Sequence, residues 1–125
     1  MRTFAKLSVV AAAATATILA TGTSAYAGTD AVSEVTGSSS RFISYGDKFE
    51  NCDTSSDGLI SYVAFEYVRI DGSLQTGSHY NPGSSGDCTQ WNHNFGEGRT
   101  VRFRSCVDQP AWATDTCDRW RSGVA

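Results

Sequence analysis

Apolar side chains along this chain tend to recur at every second position over short runs, and turn-forming pairs separate the runs. Arg41 to Gly46 (RFISYG) and Lys48 to Cys52 (KFENC) are aromatic and β-branched, divided by Gly46-Asp47. The longest run is Leu59 to Ile70 (LISYVAFEYVRI). One of its registers gathers Leu59, Val63, Phe65 and Tyr67; the other gathers Ile60, Tyr62, Ala64, Val68 and Ile70, interrupted by Glu66. Two largely apolar faces with this residue content predict a central strand. Asp71-Gly72 is the next turn pair and leads into SLQTGSHY. Asn81 to Asp87 (NPGSSGD) reads as a loop. CTQWNHNF and TVRFRSCVD then flank Gly96-Glu97-Gly98 as two further strands. In the second, Val101, Phe103, Ser105 and Val107 share one face, while Arg102, Arg104 and Cys106 share the other.

No segment sustains a helical period with caps, and no repeat or second domain is visible. About six or seven short strands at regular spacing predict an all-β fold, a small antiparallel sandwich or barrel, over residues 41–125. Gly28 to Ser40 (GTDAVSEVTGSSS) carries only Val32 and Val35 as branched aliphatics. It is expected to be a flexible arm.

The first 27 residues read differently. Arg2 and Lys6 form a positive head, Leu7 to Ala20 an Ala-rich apolar stretch, and Ala25-Tyr26-Ala27 a small-x-small cleavage pattern. This is the signature of a secretory signal peptide, and it predicts an extracellular product without a membrane span. Without that segment, eight basic residues face thirteen acidic ones, a formal charge of −5. An acidic surface argues against nucleic-acid binding.

Cys52, Cys88, Cys106 and Cys117 all follow the signal. An even count in a small exported chain predicts two disulfides, whereas zinc needs C-x-x-C or His spacings that are missing. Three connectivities are open. The favoured one closes a short loop through Cys106–Cys117 and ties distant segments through Cys52–Cys88.

The stretch CDTSSDGLISYVAFEY (Cys52 to Tyr67) poses the sharpest chemical question. Asp53, Ser55, Asp57 and Gly58 fit the opening of an EF-hand loop, but the twelfth position, which needs a bidentate Glu, is Ala64. Ser56-Asp57-Gly58 is therefore expected to be a turn, and no cofactor or metal is assigned.

The D-x-x-x-D-G turn into a long strand, E-G-x-x-V-x-F-x-x-C (Glu97 to Cys106) and C-x-x-W-x-x-G-x-A (Cys117 to Ala125) span most of the chain after the signal. Together they resemble small secreted two-disulfide β-proteins of actinobacteria. Within that group the chain looks like the small adaptor subunit of umbrella toxin particles, which joins a lectin subunit to a toxin-bearing stalk. The resemblance implies an adaptor role and assigns no site residue.

Catalytic readings find little support in the residues. His79 and His93 lack a nucleophile motif nearby and are expected on polar strand faces or near loops. A guanyl-type ribonuclease would cast Glu97, His93, Arg99, Arg102 and Arg104 as base, acid and phosphate clamp, yet that fold needs a helix on its sheet. Trp91, Trp112 and Trp120 admit a carbohydrate-binding reading by ring stacking, set against packing over the disulfides. Arg99, Arg102 and Arg104 form a candidate patch for an acidic partner. The chain thus reads as a secreted, non-enzymatic module that binds another protein, with edge strands available for strand addition. The alternatives are a carbohydrate-binding module, a secreted inhibitor presenting NPGSSGD, and a small hydrolase or ribonuclease.

Overall fold

The computed structural model describes residues 28–125, so the expected signal segment, residues 1–27, lies outside the described residues. The strands in chain order are β1 (Ala31–Val35), β2 (Ser38–Ile43), β3 (Lys48–Asp53), β4 (Ile60–Val68), β5 (Leu74–Tyr80), β6 (Cys88–Asn92), β7 (Thr100–Asp108), β8 (Thr116–Cys117) and β9 (Arg121–Val124). No helix occurs among the described residues. One antiparallel sheet has the order β1-β2-β3-β6. The other has the order β5-β4-β7-β8, with β9 also pairing to β7. The predicted all-β sandwich is the fold.

Alternation places Phe42, Phe49, Val63, Phe65, Tyr67, Val101 and Phe103 on the inner faces, where all are buried. The rings pack edge and face, Phe49 lying 5.1 Å from Phe65 and 5.4 Å from Phe42 by centroid. Such tilted contacts suit the ring quadrupoles and fill volume without voids. Phe95, from the loop after β6, completes this aromatic half of the core.

The other half of the core is polar. Ser33, Ser38, Ser40, Asn51, Ser61 and Ser105 are all buried between the sheets. Asn51 donates to the Ser38 and Ser40 hydroxyls at 3.0 and 2.8 Å and accepts from the Ser61 hydroxyl at 2.7 Å. The Ser105 hydroxyl contacts those of Ser38 and Ser40 at 2.6 and 2.8 Å, and its backbone N–H donates to Ser33 Oγ at 2.8 Å. Burial of these groups is tolerated because each finds a partner.

This network corrects the expectation of a flexible arm over residues 28–40. Those residues form β1 and the start of β2, with Ser33 and Ser40 facing each other in register. Aliphatic content underestimates their burial, because serine here enters the core by hydrogen bonding. Thr36-Gly37 turns the hairpin, with Gly37 at φ 92°, and Thr29 pairs with Val124 by backbone bonds of 2.9 and 3.0 Å. The start of the described chain thereby joins the sandwich to β9 along one edge.

The expected turn after Cys52 joins strands of different sheets. β3 and β4 belong to different sheets, so Ser56-Asp57-Gly58 carries the chain across the sandwich. Asp53 Oδ1 accepts from the Ser55 N–H and Asp57 Oδ1 from the Leu59 N–H, with Gly58 at φ 70°. Both carboxylates hold the turn by local bonds to backbone, the usual work of Asp in such positions.

The disulfides are Cys52–Cys88 and Cys106–Cys117, the favoured connectivity. Each joins residues directly opposite in register, across β3–β6 and β7–β8 respectively. Segments distant in sequence are thus already strand neighbours where Cys52 meets Cys88. Closing loops with separations of 36 and 11 residues stabilises a small domain by about 3–4 kcal/mol each in the chain-entropy picture.

Candidate functional site

The outer face of the five-stranded sheet gathers most of the residues singled out in the sequence. Register sets Tyr80 beside Tyr62 and Cys106, Ser78 beside Ala64 and Arg104, and Thr76 beside Glu66 and Arg102. The small side chains of Ser78 and Ala64 leave a shallow floor between an aromatic wall and a cationic one. Tyr62 and Tyr80 form the aromatic wall, with centroids 4.6 Å apart. Opposite, the Arg104 and Arg102 guanidinium carbons lie 4.5 and 5.1 Å from the Trp120 ring centroid, within cation–π range. Arg102 is also ion-paired with Glu66. Arg104 Nε is buried with no hydrogen-bond partner among the described residues.

Apolar side chains complete this face. Ile60, Val68, Leu74 and Tyr80 are between 47% and 57% exposed, a high value for strand residues of this size. Val68, Leu74, Thr100, Glu66 and Arg102 surround a hollow of about 250 Å³. Arg99 sits at its rim, donating to the Val68 carbonyl at 3.2 Å. At the opposite end the Tyr62 hydroxyl donates to Asp115 at 2.5 Å; burial and this carboxylate push the phenol well above its usual range. Asp115 is held below the usual carboxylate range by the same bond and by the Gln109 N–H.

Charge is divided between the two halves of the sandwich. Residues 28–58 and 81–95, which build the four-stranded sheet, hold two basic and seven acidic residues. The remainder, 59–80 and 96–125, holds six of each. The net negative charge therefore belongs to the segments that build the four-stranded sheet and its turns.

The three tryptophans are not brought together. Trp120 lies beneath the two arginines, Trp91 packs against the aromatic core from β6, and Trp112 stands 86% exposed in the loop after β7. The residues of the ribonuclease casting are likewise split. Arg102 and Arg104 face outward, whereas His93 stacks on Phe95 within the sandwich, its centroid 4.7 Å away.

Both histidines point between the sheets: His79 on β5 is not on the expected polar face, whereas His93 lies in the loop segment after β6, as expected. His79 on β5 is sandwiched by Phe65 and Trp91, at 5.4 and 4.9 Å between centroids. His93 also meets Phe49 and Phe65 edge-on. Their Nε2 atoms approach to 2.7 Å. Burial, then the neighbouring His93, holds His79 below the usual imidazole range. Burial does the same to His93, with Asp47 pulling the other way. Fourteen residues and a change of sheet separate the two rings, so no motif announces the pair. The one three-residue cluster of metal-ligating types among the described residues is Glu50, Cys52 and Cys88, and its sulfurs are already bonded to each other.

The disulfides fit an oxidising compartment, and no helix among the described residues is long and apolar enough to cross a membrane. Comparison with protein-family models, with curated proteins and with solved structures gives no match.

Proposed function

We propose that this chain is a secreted, non-enzymatic module that binds another extracellular protein through the outer face of its five-stranded sheet. One observation carries the reading. Exposed Ile60, Val68, Leu74 and Tyr80 share a single sheet face with Arg102 and Arg104 stacked on Trp120. A face with exposed apolar side chains at both ends and aromatic and arginine side chains between them has the composition of protein interfaces, where Trp, Tyr and Arg supply most of the binding energy. Apolar area favours close packing, and the guanidinium groups favour a partner edged with carboxylates. The scattered tryptophans give no shared platform for a sugar chain, which weighs against the carbohydrate alternative. Within this reading the finer role is that of an adaptor in an extracellular toxin assembly, linking two larger subunits.

Capture from culture supernatant tests the proposal. Immobilised wild type is compared with Leu74→Glu and with Arg102→Glu/Arg104→Glu, after confirming that each keeps its circular dichroism. Loss of the captured extracellular protein by both variants, at least ~10-fold in recovery, is the expected result and corresponds to about 1.4 kcal/mol. Equal recovery by all three baits would reject the face. Turnover of RNA or glycosides by the purified protein would reject the non-enzymatic reading.

A further inference from the structure

We propose that His79 and His93 form a two-histidine site for a divalent transition-metal ion, which clamps the two sheets together at the edge formed by β5 and β6. The geometry begins with convergence. The two Nε2 atoms lie 2.7 Å apart, one from β5 and the other from the segment after β6, so they share one point between the layers. Only one proton fits between two imidazole nitrogens at that distance, and one lone pair always faces the gap. A metal ion can take the place of that proton. Bonds of about 2.0–2.1 Å at tetrahedral or square angles set two imidazole nitrogens roughly 2.9–3.4 Å apart with the ion off the line between them, so the rings separate by up to roughly 0.7 Å and tilt toward it.

The rings are held ready for this. His79 lies nearly parallel to Trp91, at 10°, and to Phe65, at 19°. His93 lies at 9° to Phe95. Stacking on both rings limits their rotation, and preorganised ligands bind with less loss of entropy. Burial keeps both imidazoles neutral near pH 7, the form that ligates metals.

Ligand chemistry selects the ion. Two neutral nitrogen donors suit Zn2+, Ni2+ or Cu2+, while Ca2+ and Mg2+ require oxygen ligands. No third His, Cys, Asp or Glu among the described residues joins the pair, so water or a donor from a bound partner fills the other positions. Because the ligands come from β5 and from the segment after β6, an ion held only by the folded state raises stability.

The test uses untagged chain beginning at Gly28 with both disulfides formed. Melting temperature is measured with ZnCl2 or NiCl2, and with CaCl2 and MgCl2 as controls. A rise of several degrees with Zn2+ and Ni2+ at ~1 mM, none with Ca2+ or Mg2+, and no rise in His79→Gln or His93→Gln supports the site. If either variant fails to fold, wild type is titrated with Cu2+ and its side-chain and backbone proton resonances are followed throughout the chain. Selective broadening of His79 and His93 supports the site. The proposal is overturned if Zn2+ and Ni2+ leave the wild type unchanged, if the rise survives both substitutions, or if broadening falls elsewhere.

Discussion

At the residue scale, close packing is most exacting where β5 crosses the aromatic core. A Cβ built at Gly77 meets the Phe65 ring at 2.6 Å, so the ring occupies the space a side chain would need. Gly77→Ala is expected to destabilise by about 1–3 kcal/mol, read as a lower urea midpoint with an unchanged slope. An unchanged midpoint would show that Phe65 can move aside. Gly77 illustrates what sequence conceals. Its run SLQTGSHY reads as a strand from its flanking turn, but nothing local says that a phenylalanine from the neighbouring strand lies over the glycine. Asn51 and its serines are similar. Their residue types signal exposure, and only the partners brought to them by β2, β4 and β7 make burial affordable.

Elements were far more legible than their assembly. The inner-facing set on β7 and the odd register of β4 follow directly from alternation, because period-two patterning survives any choice of sheet. The Asp71-Gly72 hairpin was legible for the same local reason, and register then sets Val68 opposite Leu74. Sheet membership was not. KFENC and LISYVAFEY are consecutive, yet their strands lie in different layers, a fact decided by which faces bury each other and not by the turn between them. Burial by hydrogen bonding likewise hid β1. That strand supplies Ser33, whose hydroxyl donates to Asp118 at 2.8 Å and accepts from the Ser105 N–H. Deleting residues 28–36 is therefore expected to lower the melting temperature by at least several degrees, since the Ser105 N–H loses its partner and β2 becomes an open edge. A truncated chain that melts with wild type would restore the flexible-arm reading.

For the molecule as a whole, Asp118 links the two ends of the described chain. It accepts from Ser33 on β1 and from Arg121 on β9, and these bonds, the Arg121 one foremost, lower its carboxyl to about 2. A carboxylate whose folded value lies below its unfolded value contributes stability above the unfolded value, about 3.9, and loses it as pH falls toward 2. Arg121 is 33% exposed, so water screens the pair and the contribution is small. Asp118→Asn is expected to be less stable than wild type at pH 6, with the difference shrinking between pH 4 and 2. A difference independent of pH would place the effect in packing and not in charge.

The functional account rests on the asymmetry between the two outer faces, one with exposed apolar side chains and stacked arginines, the other with Glu34 and Glu50 balanced by Arg41 and Lys48. Site-specific photocrosslinking in culture supernatant tests it most directly. A benzophenone side chain is placed at Thr76, on the outer face beside Glu66, or at Ser39, on the outer face of the opposite sheet beside Cys52. The account predicts a defined covalent adduct with an extracellular protein from position 76 and none from position 39. An adduct from position 39 alone, or from neither, would contradict it.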